Sequence, residues 1–115
     1  EMKNQVLKLL KNLDSMDIAS IIDTIKEFST HKNDINDYLD LMLLWYRDVL
    51  MFKVTKDANL LLYSDEYSAI SEQATKRDYE NIENIIAAID KAKVRLKANV
   101  NFDVTIELMI LAMKD

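Results

Sequence analysis

The sequence predicts an all-α fold, a single compact bundle of about six helices. Two observations carry this expectation: the 115 residues contain no glycine, proline or cysteine, and apolar residues recur at a helical period along nearly the whole chain. An average chain of this length carries about eight Gly and roughly six Pro. Tight hairpins lean on Gly or Asn at positive φ, so a sheet-rich design would show Gly among its turns. The same absence excludes Walker-type phosphate loops, dinucleotide fingerprints, EF-hand loops and nucleophile elbows, all of which need glycine for backbone angles or close approach.

The elements follow in order. Val6, Leu9, Leu10 and Leu13 mark a first helix ending near Asp14. A second begins after a Ser15 cap and runs through Ile18, Ile21, Ile22, Ile25 and Phe28. The third carries Ile35, Tyr38, Leu39, Met42, Trp45, Val49 and Phe52 on one stripe. Leu41, Leu43, Leu44, Tyr46, Leu50 and Met51 fill its other directions, so neighbours should cover it on several sides. Residues 54–63 break the period, with Thr55, Asp57 and Asn59 as turn-formers and Leu60 to Tyr63 as a short extended piece. A short fourth helix, Asp65 to about Thr75, is capped by Ser64 and buries Tyr67, Ile70 and Ala74. The fifth, about Arg77 to Ala98, sets Ile82, Ile85, Ile86, Ile89, Ala92 and Leu96 inward. Its final turns carry Lys91, Lys93, Arg95 and Lys97, complementing the negative end of the helix dipole. After Asn99-Val100-Asn101, a sixth helix buries Phe102, Ile106, Met109, Ile110 and Met113.

A chain of this size is expected to form one domain and to bury roughly two-thirds of the surface its unfolded form exposes. Without cysteine there is no disulfide framework, thiol catalysis or thiolate metal site, which fits a reducing cytoplasm. The longest apolar runs, Leu41 to Tyr46 and Leu108 to Met113, fall far short of the ~20 residues that span a bilayer. No membrane partner and no signal peptide are expected, since Glu1 opens directly into a helical pattern containing Lys3 and Lys8. A start without Met is read as a fragment of a longer protein. With 15 basic and 20 acidic residues the net charge is −5, and the isoelectric point is about 4.9. Autonomous nucleic-acid binders show a basic stripe and a high isoelectric point instead.

Few residues suggest chemistry. His31, the single histidine, sits at a helix junction, and metal-binding bundles need Glu-x-x-His pairs or comparable clusters that are missing here. Asp34, Asp37 and Asp40 recur every three residues as a divalent-ion set would, but they fall in the first turns of a helix, where acids complement the dipole. Neither a metal nor a cofactor is expected, and the serines and tyrosines have no base or oxyanion group near them, so no catalytic residues are assigned. Arg47 and Asp48 interrupt the most apolar stretch. A buried charge without a partner costs several kcal/mol, so they either pair with another helix or anchor a subunit interface, where Arg is enriched. Trp45 and Tyr46 beside them fit core or contact roles. Trp45, Tyr46, Arg47 and Asp48 form the candidate interface, while Asn99 and Asn101 are candidate helix caps.

The run from Leu43 to Lys53 resembles the LLxWxRDLLLxK segment in the C-terminal domain of bacterial DNA polymerase III delta-prime subunits. Ala87 to Leu96, then Asn99-Val100-Asn101-Phe102, then Ile106 to Leu111, is similar to the ending of the same family. The resemblance covers the chain from about Tyr38 to Asp115. The first 37 residues match only as generic helices, and Phe102 stands where many relatives place Pro. The resemblance implies a clamp-loader collar: residues 1–115 as a helical oligomerisation domain, the C-terminal part of a longer subunit. Collar domains of that family pack in a ring, while separate AAA+ modules bind nucleotide and the sliding clamp. The implied partners are the loader's ATPase and delta subunits, with no direct nucleic-acid contact and no enzymatic activity in this piece. Asn99 and Asn101 would then fix the angle between the last two helices. The alternatives from other classes are a helical nucleic-acid-binding module, a generic protein-interaction module, and a magnesium enzyme built on the Asp34, Asp37, Asp40 set.

Overall fold

The structure, a computed structural model, describes residues 1–114. Among these the chain forms six α-helices: α1 (Met2–Asn12), α2 (Ile18–Ser29), α3 (Ile35–Thr55), α4 (Tyr67–Lys76), α5 (Tyr79–Lys97) and α6 (Phe102–Lys114). The all-α architecture is the one that periodicity predicts. Short 3₁₀ turns at Leu13–Ser15, Lys32–Asp34, Ala58–Leu60 and Ser64–Glu66 make the remaining corners. No described helix is long and apolar enough to cross a membrane.

α3 is the central element. At 21 residues it is the longest helix, and it packs against α1, α4 and α5. Neighbours on several sides explain its all-round apolar pattern: Leu39, Met42, Trp45, Tyr46 and Val49 are all sealed from solvent. α6 lies outside this first layer, against α5 and α2. One continuous core joins the layers, from Val6 and Leu10 through Phe28 and Trp45 to Ile89 and Ile110.

Local chemistry moves several helix ends from their expected places. Ser15 does not cap α2; it closes a 3₁₀ turn, its hydroxyl donating to the Asn12 carbonyl at 2.9 Å. Asp17 takes that role in extended backbone, its carboxylate accepting the Ser20 amide at 2.8 Å, because an N-cap must sit outside the helix with an acceptor turned back. Ser64 likewise belongs to a 3₁₀ turn, and α4 begins only at Tyr67 without a side-chain cap. Of the expected extended piece at Leu60 to Tyr63, Leu60 ends a 3₁₀ turn and residues 61–63 link it to the next, with only Leu61 and Tyr63 buried. Tyr67 is 44% exposed rather than buried, its ring edge-on to Phe52 at 5.4 Å. Asp78 caps α5 by accepting the Asn81 amide at 2.7 Å, which leaves Arg77 ahead of the helix.

At the α5–α6 junction Asn99 has φ 62°, the left-handed conformation that Asn tolerates better than other residues bearing a Cβ. The Val100 amide bonds to the Arg95 carbonyl at 3.0 Å and the Asn99 amide to Leu96 at 3.1 Å, the paired bonds that close a helix C-terminus around a left-handed residue. Two residues later the Asn101 side chain accepts the Val104 amide at 3.0 Å and starts α6.

Candidate functional site

Trp45, Tyr46, Arg47 and Asp48 step once around α3, so successive side chains face different neighbours. Trp45 points toward α4, its indole N–H donating to Gln73 Oε1 at 3.1 Å. Gln73 in turn donates to the Leu10 carbonyl at 3.1 Å, so one amide ties α1, α3 and α4 together. The Trp45 ring also meets Tyr63 edge-on at 5.6 Å. Tyr46 is fully buried. Burial pushes its hydroxyl well above the ordinary phenol range, against the pull of the nearby Arg77 charge. It therefore stays protonated and is no base.

Asp48 is a charge with no exposed surface. Its carboxylate accepts the Leu62 amide at 3.0 Å and the Tyr63 amide at 2.7 Å, and Arg47 Nη1 lies 3.4 Å away. These contacts satisfy a buried carboxylate. They also pin the connection between α3 and α4 onto the middle of α3, where the Tyr63 hydroxyl adds a bond to the Leu41 carbonyl at 2.9 Å. The pairing of Arg47 and Asp48 is thus between neighbours in sequence, and Asp48 finds its other partners on a loop rather than on another helix.

The candidate interface is corrected accordingly. Trp45, Tyr46 and Asp48 present no surface to a partner docking on the folded domain, because α1, α4 and the α3–α4 connection cover them. Arg47, with its side chain 48% exposed, is the member of the four that reaches solvent.

Sequence reading missed a second buried charge, a cation. Arg77, 7% exposed, donates from Nη1 to Asn81 Oδ1 at 2.7 Å and from Nη2 to Asp14 Oδ1 at 3.2 Å. Lys76 also pairs with Asp14. Partial burial pushes the Asp14 carboxyl up, but the Lys76 hydrogen bond and the Arg77, Lys76 and Lys114 charges outweigh it and hold the group below the usual carboxylate range. This cluster joins the end of α1 to the α4–α5 corner. Only an arginine placed one residue before an Asp cap hinted at it.

The other titratable residues do not assemble into a reactive site. Among the described residues no three His, Asp or Glu side chains are grouped to hold a metal ion. Asp40 pairs with Lys93 of α5, and the His31 ring rests 5.7 Å from that of Tyr38. A groove of about 450 Å³ between α1 and α2 is lined by Leu9, Met16 and Phe28, by amides and hydroxyls, and by the charged Lys8, Asp23 and Glu27; its Thr24 hydroxyl donates to the Ser20 carbonyl at 2.9 Å.

The surface carries apolar side chains instead. Ile18 and Ile22 on α2 are 77% and 46% exposed, and Val104, Leu108 and Leu111 on α6 are 48%, 45% and 43% exposed.

Fold and surface define a small all-α domain with ion-paired corners and apolar outer helix faces. Among known proteins, the DNA polymerase III subunit delta' of Bacillus subtilis (strain 168) is similar, 34% identical over 77 residues that make up 67% of this chain and 23% of that protein. The chain therefore contains a delta-prime-like region and spans less than a quarter of that relative's length. No protein-family model matches the chain, and no solved structure matches it.

Proposed function

We propose that residues 1–115 are a collar-type oligomerisation domain, the C-terminal part of a DNA polymerase III delta-prime subunit. On this reading the domain is non-catalytic and cytoplasmic. It packs against the ATPase and delta subunits of the clamp loader and supports sliding-clamp loading in DNA replication without touching nucleic acid itself. The observation that carries the proposal is the 34% identity over 77 residues to a delta-prime subunit. The composition supports it, since a chain without glycine leaves phosphate-loop nucleotide binding to other modules. Arg47 is the residue of the original interface set that a neighbouring subunit can reach.

A generic protein-interaction module is the second reading, favoured by the exposed apolar residues of α2 and α6. Size-exclusion chromatography separates the two. The chain, mixed with the loader's ATPase subunit from its own source, should elute as a complex. Separate peaks for both the chain and the full-length subunit containing it would overturn the clamp-loader reading and leave the generic one.

A further inference from the structure

α6 is apolar on two opposite faces. Ile106, Met109, Ile110 and Met113 are buried, whereas Val104, Leu108 and Leu111 are each more than 40% exposed. At 3.6 residues per turn the second set lies on the side of the helix away from the core. Its spacing, four residues and then three, is that of consecutive d, a and d positions in a heptad. Val104, Leu108 and Leu111 leave close to half of each residue on the solvent face, turn after turn. The stripe is a seam of the kind that receives another helix.

We infer that this seam docks an amphipathic helix of a partner protein whose own apolar stripe is flanked by Lys or Arg. Charge selects that occupant. Glu107 sits at the g position beside Leu108, and the whole chain carries a net charge of −5. A second copy would bring another chain of net charge −5 against the seam, and like net charge disfavours that pairing. The inference rests on the assembly reading above and adds to it the face used and the chemistry of the helix received. Ile18 and Ile22 on α2, the helix packed against α6, are further exposed apolar side chains.

The test uses two synthetic helical probes with Leu at a and d, one carrying Lys and the other Glu at e and g. The chain should bind the Lys probe at least ten-fold more tightly than the Glu probe. Leu108→Glu/Leu111→Glu should weaken that binding at least ten-fold while Val54→Glu, on α3, leaves it unchanged, and Trp45 fluorescence should show both variants folded. Equal binding of the two probes, no binding of either, or undiminished binding by the double variant overturns the inference. So does self-association of the chain that the double variant abolishes, since a second copy would then occupy the seam. Binding of the loader's ATPase subunit distinguishes the two levels: if the double variant retains it, the seam is wrong and the assembly reading stands. If the unmodified chain binds the Lys probe but no loader subunit, the assembly reading fails and the seam stands.

Discussion

The Asp48 carboxylate accepts the Tyr63 backbone amide at 2.7 Å from a position with no solvent exposure. A helix-centre acid thus holds a loop fifteen residues downstream, and it does so with main-chain donors that any residue at position 63 other than proline would supply. Asp48→Ala should destabilise the domain by about 2–3 kcal/mol, because the buried Tyr63 amide loses its acceptor while the Leu62 amide can turn to water. Chemical denaturation followed by fluorescence of the single Trp, which sits one helical turn away, measures this. Hydrogen exchange at Tyr63 should accelerate in the variant; unchanged protection there would contradict the anchoring role.

Arg47 is expected to behave differently from its neighbour. Its pairing with Asp48 at 3.4 Å is long and half exposed, so Arg47→Ala should cost the isolated domain less than about 1 kcal/mol. Binding to a loader subunit should weaken if Arg47 anchors that contact. A large loss of stability in the domain alone would show that the arginine serves Asp48 and no partner.

Asp14 gives the fold an acid-sensitive corner. Its carboxyl is held below its ordinary value by Lys76, Arg77 and Lys114 against the opposing effect of partial burial. A group whose folded value is depressed adds stability above its unfolded value, near 3.9, and that stability is lost as pH falls through the folded value. Asp14→Asn should therefore lower the melting temperature by a few degrees at pH 7 and narrow the gap to wild type below pH 3. A difference that stays constant from pH 7 to pH 2 would contradict the linkage.

The α5–α6 junction makes opposite demands of two asparagines. At Asn99, φ 62° suits glycine, so Asn99→Gly should be neutral or slightly stabilising, whereas Asn99→Val should cost about 1–2 kcal/mol. At Asn101 the side chain is what matters, and Asn101→Ala should cost about 1 kcal/mol by removing the acceptor for the Val104 amide. Thermal unfolding of the three variants checks the ordering.

Helix faces were legible from spacing alone because burial repeats with the helical period: Ile82, Ile85 and Ile89 face inward as the pattern requires. The all-round apolar α3 signalled a central helix covered on several sides, yet the candidate interface at Trp45 to Asp48 put contact residues where α1, α4 and the α3–α4 connection leave only Arg47 in solvent. Exposed apolar side chains lie on α6 instead, whose outer stripe was hidden in a run, Leu108 to Met113, that is apolar in nearly every direction. Contacts that join distant segments leave no periodic trace. Nothing in the sequence pairs Asp48 with the amides of residues 62 and 63, or Arg77 with Asp14, since a backbone donor has no residue identity and one acid among 20 is not marked. Capping failed at Ser15 and Ser64 for a related reason, as a nearby Asp or a 3₁₀ turn competes for the same helix start.

The proposed assembly with clamp-loader subunits is tested by sedimentation velocity of the 115-residue chain titrated with the loader's ATPase subunit. A single faster boundary is expected, with a Kd in the micromolar range or tighter, weakened at least ten-fold by Leu108→Glu/Leu111→Glu. Two independent boundaries at every ratio, with the chain folded by Trp45 fluorescence, would contradict it.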